Sequence, residues 1–243
     1  MHRVTSRDHS HDHGETRLVA QVFTPDTGGP RPGLLVVHGA RGLDPFILSR
    51  AQVLAEAGYT VLAADLWGGR QLLSDPAEIG AHLSAFAGDR ALWIGRLAAA
   101  RAALAGLPEC TGRIGALGYC FGGTSVLEML RAGLDLAGVV SFHAGLDMAA
   151  DDWSGARGGK ALLCTGAEDP LAAPDQLARV TAAMTGAGVD WQAHVYGGVL
   201  HGFTEPDGPG RPPFARHDAR ADRRSWAAMM DFFAETLAPE TTA

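Results

Sequence analysis

Gly118-Tyr119-Cys120-Phe121-Gly122-Gly123 lies between a short apolar run at residues 113–117 and a segment of helical composition at residues 124–131. This is the strand-turn-helix context of a nucleophile elbow, G-x-nucleophile-x-G, with cysteine at the reactive position. The sharp turn requires small neighbours, because a Cβ there would collide with the adjoining strand or helix. The N-terminus of a helix favours a thiolate, so the pattern predicts Cys120 as a nucleophile. A buried structural cysteine beside a glycine-rich turn is the alternative interpretation.

The rest of the chain alternates short β-like runs with longer helical patterns, which predicts an α/β fold with a mostly parallel sheet and helices on both faces. The run Leu34-Leu35-Val36-Val37 is apolar without alternation, as expected of a parallel strand covered on both sides. The predicted strands are residues 16–23, at an edge of the sheet, 33–37, 60–64, 113–117, 137–142, 161–165 and 191–196. The predicted helices are residues 46–57, 92–104, 124–131, 174–185 and 218–237.

The N-terminal residues are polar and lack the apolar periodicity of the segments that follow. We expect residues 1–16 to be a flexible polar leader and residues 17–243 to form a single domain. His9, His11 and His13 lie in this leader and can bind a metal adventitiously, but a solvated tail is the favoured interpretation. No metal site and no cofactor are predicted.

Composition narrows the classes of function. The formal net charge of −7, without a long cluster of Lys and Arg, argues against a nucleic-acid partner. No apolar run approaches the roughly 20 residues that cross a bilayer, so no membrane partner is expected. The three scattered cysteines suit neither a disulfide framework nor a zinc site, and no stretch resembles a signal peptide. We therefore expect a cytoplasmic protein, as a monomer or homodimer.

An acid and a base follow the predicted nucleophile. Asp169 comes after the predicted strand 161–165, and His201 comes after the strand that ends near residue 196. The order Cys, Asp, His is that of triads in the α/β-hydrolase fold, where each member lies at the carboxyl end of a strand. We predict that His201 takes the thiol proton and that Asp169 orients its ring. Glu168 competes with Asp169 for the acid role, and His194 and His217 compete with His201 for the base.

Backbone donors for a developing oxyanion are also predicted. One is normally the residue after the nucleophile and the other lies in the loop after an early strand, which indicates the N–H groups of Phe121 and Ala40. Ala40 belongs to the small-residue loop His38-Gly39-Ala40-Arg41-Gly42, in which we interpret His38 as a buried orienting residue rather than a base. The residues expected around the mouth of a substrate pocket are His38, Arg41, Trp67, Arg70, His143 and Phe203.

The chain resembles the dienelactone hydrolase family, an α/β-hydrolase branch with a Cys-Asp-His triad, from about residue 18 to residue 237. The resemblance rests on the elbow, on Ala64-Asp65-Leu66-Trp67-Gly68 after Ala57-Gly58-Tyr59, on Gly166-Ala167-Glu168-Asp169-Pro170 and on His201-Gly202-Phe203. It implies a metal-independent esterase or lactonase that acts on a small ester or lactone through an acyl-thioester of Cys120. Arg70 and Arg211 are the candidates for the family's pocket arginines.

One position departs from the family pattern. The best-known members have a glutamate in the loop after the early strand, where it engages the resting cysteine, and this position falls on Gly39. A direct Cys120–His201 ion pair can replace that glutamate. Because a fold does not determine a reaction, a cyclase, lyase or acyl-transfer enzyme is the alternative to a hydrolase, and a catalytically inactive binding module is the third hypothesis.

Overall fold

The computed structural model describes residues 2–156, 158–208 and 210–238. Within these ranges, eight strands form one sheet in the order β1-β2-β4-β3-β5-β6-β7-β8. The strands are β1 Val4–His13, β2 Thr16–Pro25, β3 Arg31–Val37, β4 Thr60–Ala64, β5 Cys110–Tyr119, β6 Gly138–Phe142, β7 Lys160–Gly166 and β8 Asp190–Tyr196.

The central part of the sheet is parallel. Strand β3 pairs in parallel with β4 on one side and β5 on the other, and β6, β7 and β8 continue in the same direction. Only β1–β2 and β2–β4 pair antiparallel among the strands described. The prediction of a mostly parallel sheet is therefore confirmed, and the carboxyl ends of β3 to β8 meet at one edge, where such sheets place their sites.

Helices cover both faces of the sheet, as predicted. The α-helices of the described residues are α1 Pro45–Glu56, α2 Pro76–Gly88, α3 Arg90–Ala105, α4 Phe121–Arg131, α5 Pro174–Gly186 and α6 Ala219–Thr236. Leu34 and Val36 of β3 belong to the core on the side of α1 and α6, whereas Leu35 and Val37 belong to the core on the side of α3, α4 and α5. None of these helices is long and apolar enough to cross a membrane.

Helix α2 is missing from the sequence-based prediction. Asp75 accepts hydrogen bonds from the N–H groups of Ala77 and Glu78, and Pro76 occupies the first turn. Asp44 and Pro45 begin α1 in the same way. The dipeptide Asp-Pro was therefore an available signal for both starts, since aspartate caps a helix and proline suits its first turn.

The expectation of a flexible leader is wrong. Residues 4–13 form β1, which pairs with β2 along all ten residues through a turn at Gly14. Strand β1, rather than β2, is thus an edge of the sheet. Backbone hydrogen bonds hold it regardless of its polar side chains, which is why the hydrophobic pattern did not reveal it. The described residues contain no group of three or more His, Cys, Asp or Glu side chains that could hold a metal ion.

Candidate active site

Cys120 lies in a strained turn between β5 and α4. Its backbone has φ 55° and ψ −116°, a left-handed conformation that L-residues rarely adopt, and its side chain is partly exposed. The neighbours have no room for a side chain. A Cβ on Gly118 would lie 2.1 Å from the Gly122 carbonyl oxygen, and a Cβ on Gly122 would lie 2.2 Å from the Val37 oxygen. The glycines therefore permit the close approach that presents the sulfur at the sheet edge.

Phe121, the first residue of α4, is held on both faces of its ring. It stacks on Trp67 at 4.9 Å between centroids and on Trp93, also at 4.9 Å with an interplanar angle of 12°. Trp93 Nε1 donates to Ser125 Oγ at 2.9 Å, and this hydroxyl donates to the Phe121 carbonyl at 2.8 Å. The first N–H groups of a helix lack intrahelical acceptors, so this stack holds a free N–H beside Cys120.

His201 and Asp169 form a buried pair. His201 Nδ1 lies 2.8 Å from Asp169 Oδ2, and both side chains are almost fully buried. Asp169 Oδ1 accepts a further hydrogen bond from the Leu171 N–H at 2.9 Å. The carboxylate thus fixes the ring and its Nδ1–H tautomer, which leaves Nε2 for a reacting group.

The electrostatics connect this pair to Cys120. Burial acts to lower the pKa of His201, but the charge of Cys120 and hydrogen bonds to Asp169 and Cys120 outweigh it, and the pKa rises to about 10. A raised pKa favours the imidazolium form of His201. The three side chains leave β5, β7 and β8 at the same edge of the sheet. The structure therefore brings the predicted acid, base and nucleophile together.

The loop after β3 passes directly beside the elbow. A Cβ on Gly39 would lie 3.5 Å from Cys120 Cβ and 3.3 Å from the Tyr119 oxygen. His38 is fully buried, and its Nδ1 lies 2.7 Å from the Gly39 oxygen while its Nε2 accepts the Leu66 N–H at 3.1 Å. Burial lowers the pKa of His38 to about 4, against the opposing effect of its hydrogen bond to Gly39. His38 is therefore neutral near pH 7, and its ring links the backbone of its own loop at Gly39 to the backbone at Leu66.

His143 contacts the elbow from the next strand along. It follows β6 and is fully buried, and its Nδ1 accepts the Cys120 N–H at 3.1 Å, a donor that it shares with the Phe142 carbonyl oxygen at the same distance. Its Nε2 lies 2.8 Å from Thr204 Oγ1. Sequence reasoning missed Thr204, although a hydroxyl three residues after His201 was a signal that could have been followed.

Most of the residues predicted around a pocket mouth are buried or paired. His38, Trp67, His143 and Phe203 are buried, because each packs against aromatic rings or backbone behind the loops. Arg70 pairs with Asp8 at 2.5 Å and with Gln21, which lie on β1 and β2. Arg41 is exposed in the loop after β3, as expected of a residue at a mouth.

The competing acid and bases have other surroundings. Glu168 is exposed next to the buried Asp169. His194 is on β8, in register with Cys164, and His217 lies 3.6 Å from Asp222. Arg211 donates hydrogen bonds to the carbonyl oxygens of Gly202, Glu205 and Pro206.

A cavity of about 330 Å³ lies between α1, the start of α6 and the loop after His201. Its lining does not include Cys120, Asp169 or His201, but it does include Thr204. Its lining residues are Phe46, Ser49, Arg50, Val53, Thr204, Pro206, Asp207, His217 and Asp222.

Comparison with known proteins places this geometry in context. Residues 18–237 match the model of the dienelactone hydrolase family. The crystal structure of P91, a dienelactone hydrolase-like promiscuous phosphotriesterase from metagenomic libraries, is 36% identical. The likeness covers 97% of this chain and 99% of P91, with a TM-score of 0.91.

More distant structures share the fold. A dienelactone hydrolase from Anabaena variabilis is 21% identical over 97% of this chain and 100% of its own, with a TM-score of 0.69. An acylaminoacyl peptidase from Pyrococcus horikoshii is 14% identical over 99% of this chain and 43% of its own, with a TM-score of 0.75. These likenesses confirm the predicted fold and bear on the fold alone.

Proposed function

Because the chain belongs to the dienelactone hydrolase family, we propose that it hydrolyses small carboxylic esters or lactones with Cys120 as the nucleophile. One observation carries the proposal: Asp169 holds the His201 ring at 2.8 Å, and the charge of Cys120 raises the pKa of the same imidazole. A nucleophile, a base and an orienting acid in contact are the parts that acyl transfer needs.

The reaction begins when the Cys120 thiolate attacks the substrate carbonyl carbon. The carbonyl π electrons move to the oxygen, and the tetrahedral intermediate collapses with cleavage of the carbon–oxygen bond to the leaving group. The His201 imidazolium gives its proton to the departing alkoxide, which in a lactone stays attached to the acyl chain. Water, deprotonated by His201, then attacks the thioester carbonyl. The acid leaves and the Cys120–His201 pair is restored.

Backbone groups stabilise the charge that develops. The Phe121 N–H lies at the N-terminus of α4, and the stack of Trp67 and Trp93 keeps that residue in place. Ala40 supplies a second N–H from the loop beside Cys120. Fixed donors of this kind lower the energy of an oxyanion because they need no reorganisation during the reaction.

The glycine at position 39 suggests how the thiolate is formed. Position 39 lies close to Cys120 Cβ, but its glycine has no carboxylate that could engage the cysteine. The raised pKa of His201 instead favours an imidazolium next to the sulfur. We propose that the resting enzyme holds a thiolate–imidazolium pair and does not need substrate to trigger it.

Hydrolysis of p-nitrophenyl acetate and of a simple enol lactone tests the proposal. We expect turnover by the parent protein, none by Cys120→Ala or His201→Ala, and near-normal turnover by Cys110→Ala, since that buried cysteine lies at the other end of β5. Mass spectrometry should detect the acetyl group on Cys120. An acyl group on another residue would contradict the mechanism. Reactive Cys120 without acid release from any ester would favour a cyclase, lyase or transferase.

Phosphotriesters are a second candidate substrate class for the same site. P91, which is named a promiscuous phosphotriesterase, is 36% identical over almost the whole chain. Position 39, which lies next to Cys120, has no side chain to crowd a substrate, and a phosphorus centre under attack carries more substituents than an acyl carbon. The thiolate would displace the aryloxide from phosphorus, and water would then release the phosphodiester from Cys120.

Paraoxon tests this second class. We expect p-nitrophenol release that depends on Cys120, with a dialkylphosphoryl adduct on Cys120 detectable by mass spectrometry. Substitution of Gly39 by Val should reduce paraoxon turnover more than turnover of p-nitrophenyl acetate. An equal loss with both substrates would contradict the role given to this space.

A further inference from the structure

His143 lies between the segment that carries Cys120 and the segment that carries His201, and each of its ring nitrogens makes a hydrogen bond to one of them. The Cys120 N–H is shared between Nδ1 and the Phe142 carbonyl oxygen, each at 3.1 Å, and Nε2 lies 2.8 Å from Thr204 Oγ1. A backbone N–H can only donate, so Nδ1 is the acceptor and the ring proton is on Nε2. Nε2 therefore donates to the Thr204 hydroxyl, and one tautomer satisfies both contacts.

The ring is held firmly in this position. His143 is fully buried, its N–H donates to the Cys164 oxygen at 2.8 Å, and its φ of 37° is in the left-handed region. The ring packs edge-on against those of His201 and Phe203, with centroids 5.2 Å apart in each pair. A side chain so constrained acts as a rigid spacer rather than a mobile acid or base.

We propose that His143 is a positioning residue that holds the Cys120 elbow and the loop of His201 at a fixed separation, through Thr204. The inference rests on the proposed function, in which Cys120 and His201 act as a pair. The nucleophile is in the turn after β5 and the base is in the loop after β8, so no short chain segment sets the distance between them. Thr204 is buried three residues after His201, and its bond to His143 supplies that constraint.

The electrostatics keep this bridge intact while His201 is charged. Burial lowers the pKa of His143 well below its usual value, and the positive charges of His201, Arg211 and Arg50 act in the same direction. These cations come from the loop after β8 and from α1, while Cys120 faces Nδ1 from the elbow. A protonated Nδ1 would repel the Cys120 N–H. The neutral ring accordingly remains an acceptor throughout turnover.

Thr204→Val is the sharpest test, because it removes the hydroxyl and keeps the shape. We expect kcat on p-nitrophenyl acetate to fall about 10-fold, and up to about 100-fold if the reacting groups separate by about 1 Å. The pH profile of Cys120 alkylation by iodoacetamide should also move to higher pH, since the thiolate loses its well-placed imidazolium. Thr204→Ser keeps the hydroxyl and should restore both readouts.

Substitutions of His143 test the other end of the bridge. His143→Phe removes both hydrogen bonds and should lower kcat at least as much as Thr204→Val, whereas the double variant should be no worse than His143→Phe. The amide oxygen of His143→Asn can accept the Cys120 N–H but does not reach Thr204, so an intermediate loss is expected. His194→Phe, a histidine on β8 outside this bridge, should behave as the parent protein.

Alkylation needs no substrate, so it separates this inference from the proposed function. If no ester is hydrolysed, a shifted alkylation profile in Thr204→Val still supports the bridge. Thr204→Val and His143→Asn variants with the parent's alkylation profile and kcat, and lowered only in melting temperature, would show a purely structural role and overturn it. Independent, additive losses in the double variant would overturn it as well.

Discussion

At the scale of single residues, adjacent side chains have opposite environments and hence different roles. Asp169 is buried and accepts from His201 and the Leu171 N–H, while Glu168, one position earlier, is exposed to water. A carboxylate orients an imidazole only where water does not compete for it. The buried member of the pair is therefore the orienting acid in the proposed mechanism.

Asp169→Asn should lower kcat for ester hydrolysis by about two to four orders of magnitude, because the amide favours the wrong tautomer of His201. Steady-state kinetics with p-nitrophenyl acetate measure this effect. Glu168→Gln is the matched control and should change kcat less than about 3-fold, since its side chain is solvated. Equal losses in the two variants would refute the assignment of the acid.

The raised pKa of His201 predicts how stability depends on pH. Its value in the folded protein is about 10, above the unfolded value near 6.5. The contribution of His201 to the free energy of unfolding is therefore fully present below about pH 6.5 and is lost as the pH rises to about 10, and it is at most about 5 kcal/mol. Urea unfolding at several pH values checks this.

The control for that measurement is His201→Gln, which cannot titrate. The difference in unfolding free energy between the parent protein and this variant should shrink steadily from pH 6.5 to pH 10. A difference that stays constant over this range would show that His201 titrates alike in the folded and unfolded chains.

At the scale of elements, β1 is held by its backbone and by a few polar contacts. Arg7 pairs with Glu109 at 2.9 Å, the Thr5 and Thr24 hydroxyls are 2.9 Å apart, and the His13 side chain fills the space beside Gly95 of α3. Strand β1 also covers the edge of β2, which would otherwise present unpaired backbone groups to solvent.

Removal of residues 2–13 should therefore destabilise the protein and promote aggregation, whereas loss of a flexible leader would change neither property. Urea unfolding and light scattering measure the two effects. Arg7→Gln serves as the control, since an exposed ion pair contributes at most about 1 kcal/mol. A truncated protein with the parent's unfolding midpoint would contradict the role assigned to β1.

At the scale of the whole molecule, the fold distinguishes its three cysteines. Cys120 is partly exposed at the carboxyl edge of the sheet, whereas Cys110 and Cys164 are buried. Burial raises the pKa of the Cys164 thiol to about 12, against a weaker effect of its hydrogen bond from Tyr196, and burial also raises the pKa of Cys110. Thiols of this kind are unreactive near neutral pH.

Iodoacetamide at neutral pH should therefore add a single group to the native protein, on Cys120, and label all three cysteines in denaturant. Peptide mass spectrometry identifies the sites. Because each site serves as a control for the others, labelling of Cys164 at the rate of Cys120 in the native state would show that the fold does not protect it.

Local patterns were sufficient for the parts of the protein that depend on nearby residues. Apolar runs without alternation predicted the parallel strands, and the glycines around Cys120 predicted the strained elbow, because each constraint acts within a few residues. The order of Cys120, Asp169 and His201 predicted that they lie at the same edge of the sheet, because parallel strands bring their carboxyl ends to one edge.

Other features depend on contacts between distant segments, which local patterns do not contain. The polar strand β1 was missed because its stability comes from pairing with β2. Arg70 was misplaced because its direction is set by Asp8 and Gln21 on the neighbouring hairpin. His143 was expected at a pocket mouth, but its role as a bridge depends on Cys120 and Thr204, which are 23 and 61 residues away. Side-chain directions of this kind are determined by packing across the sheet, so only the folded chain defines them.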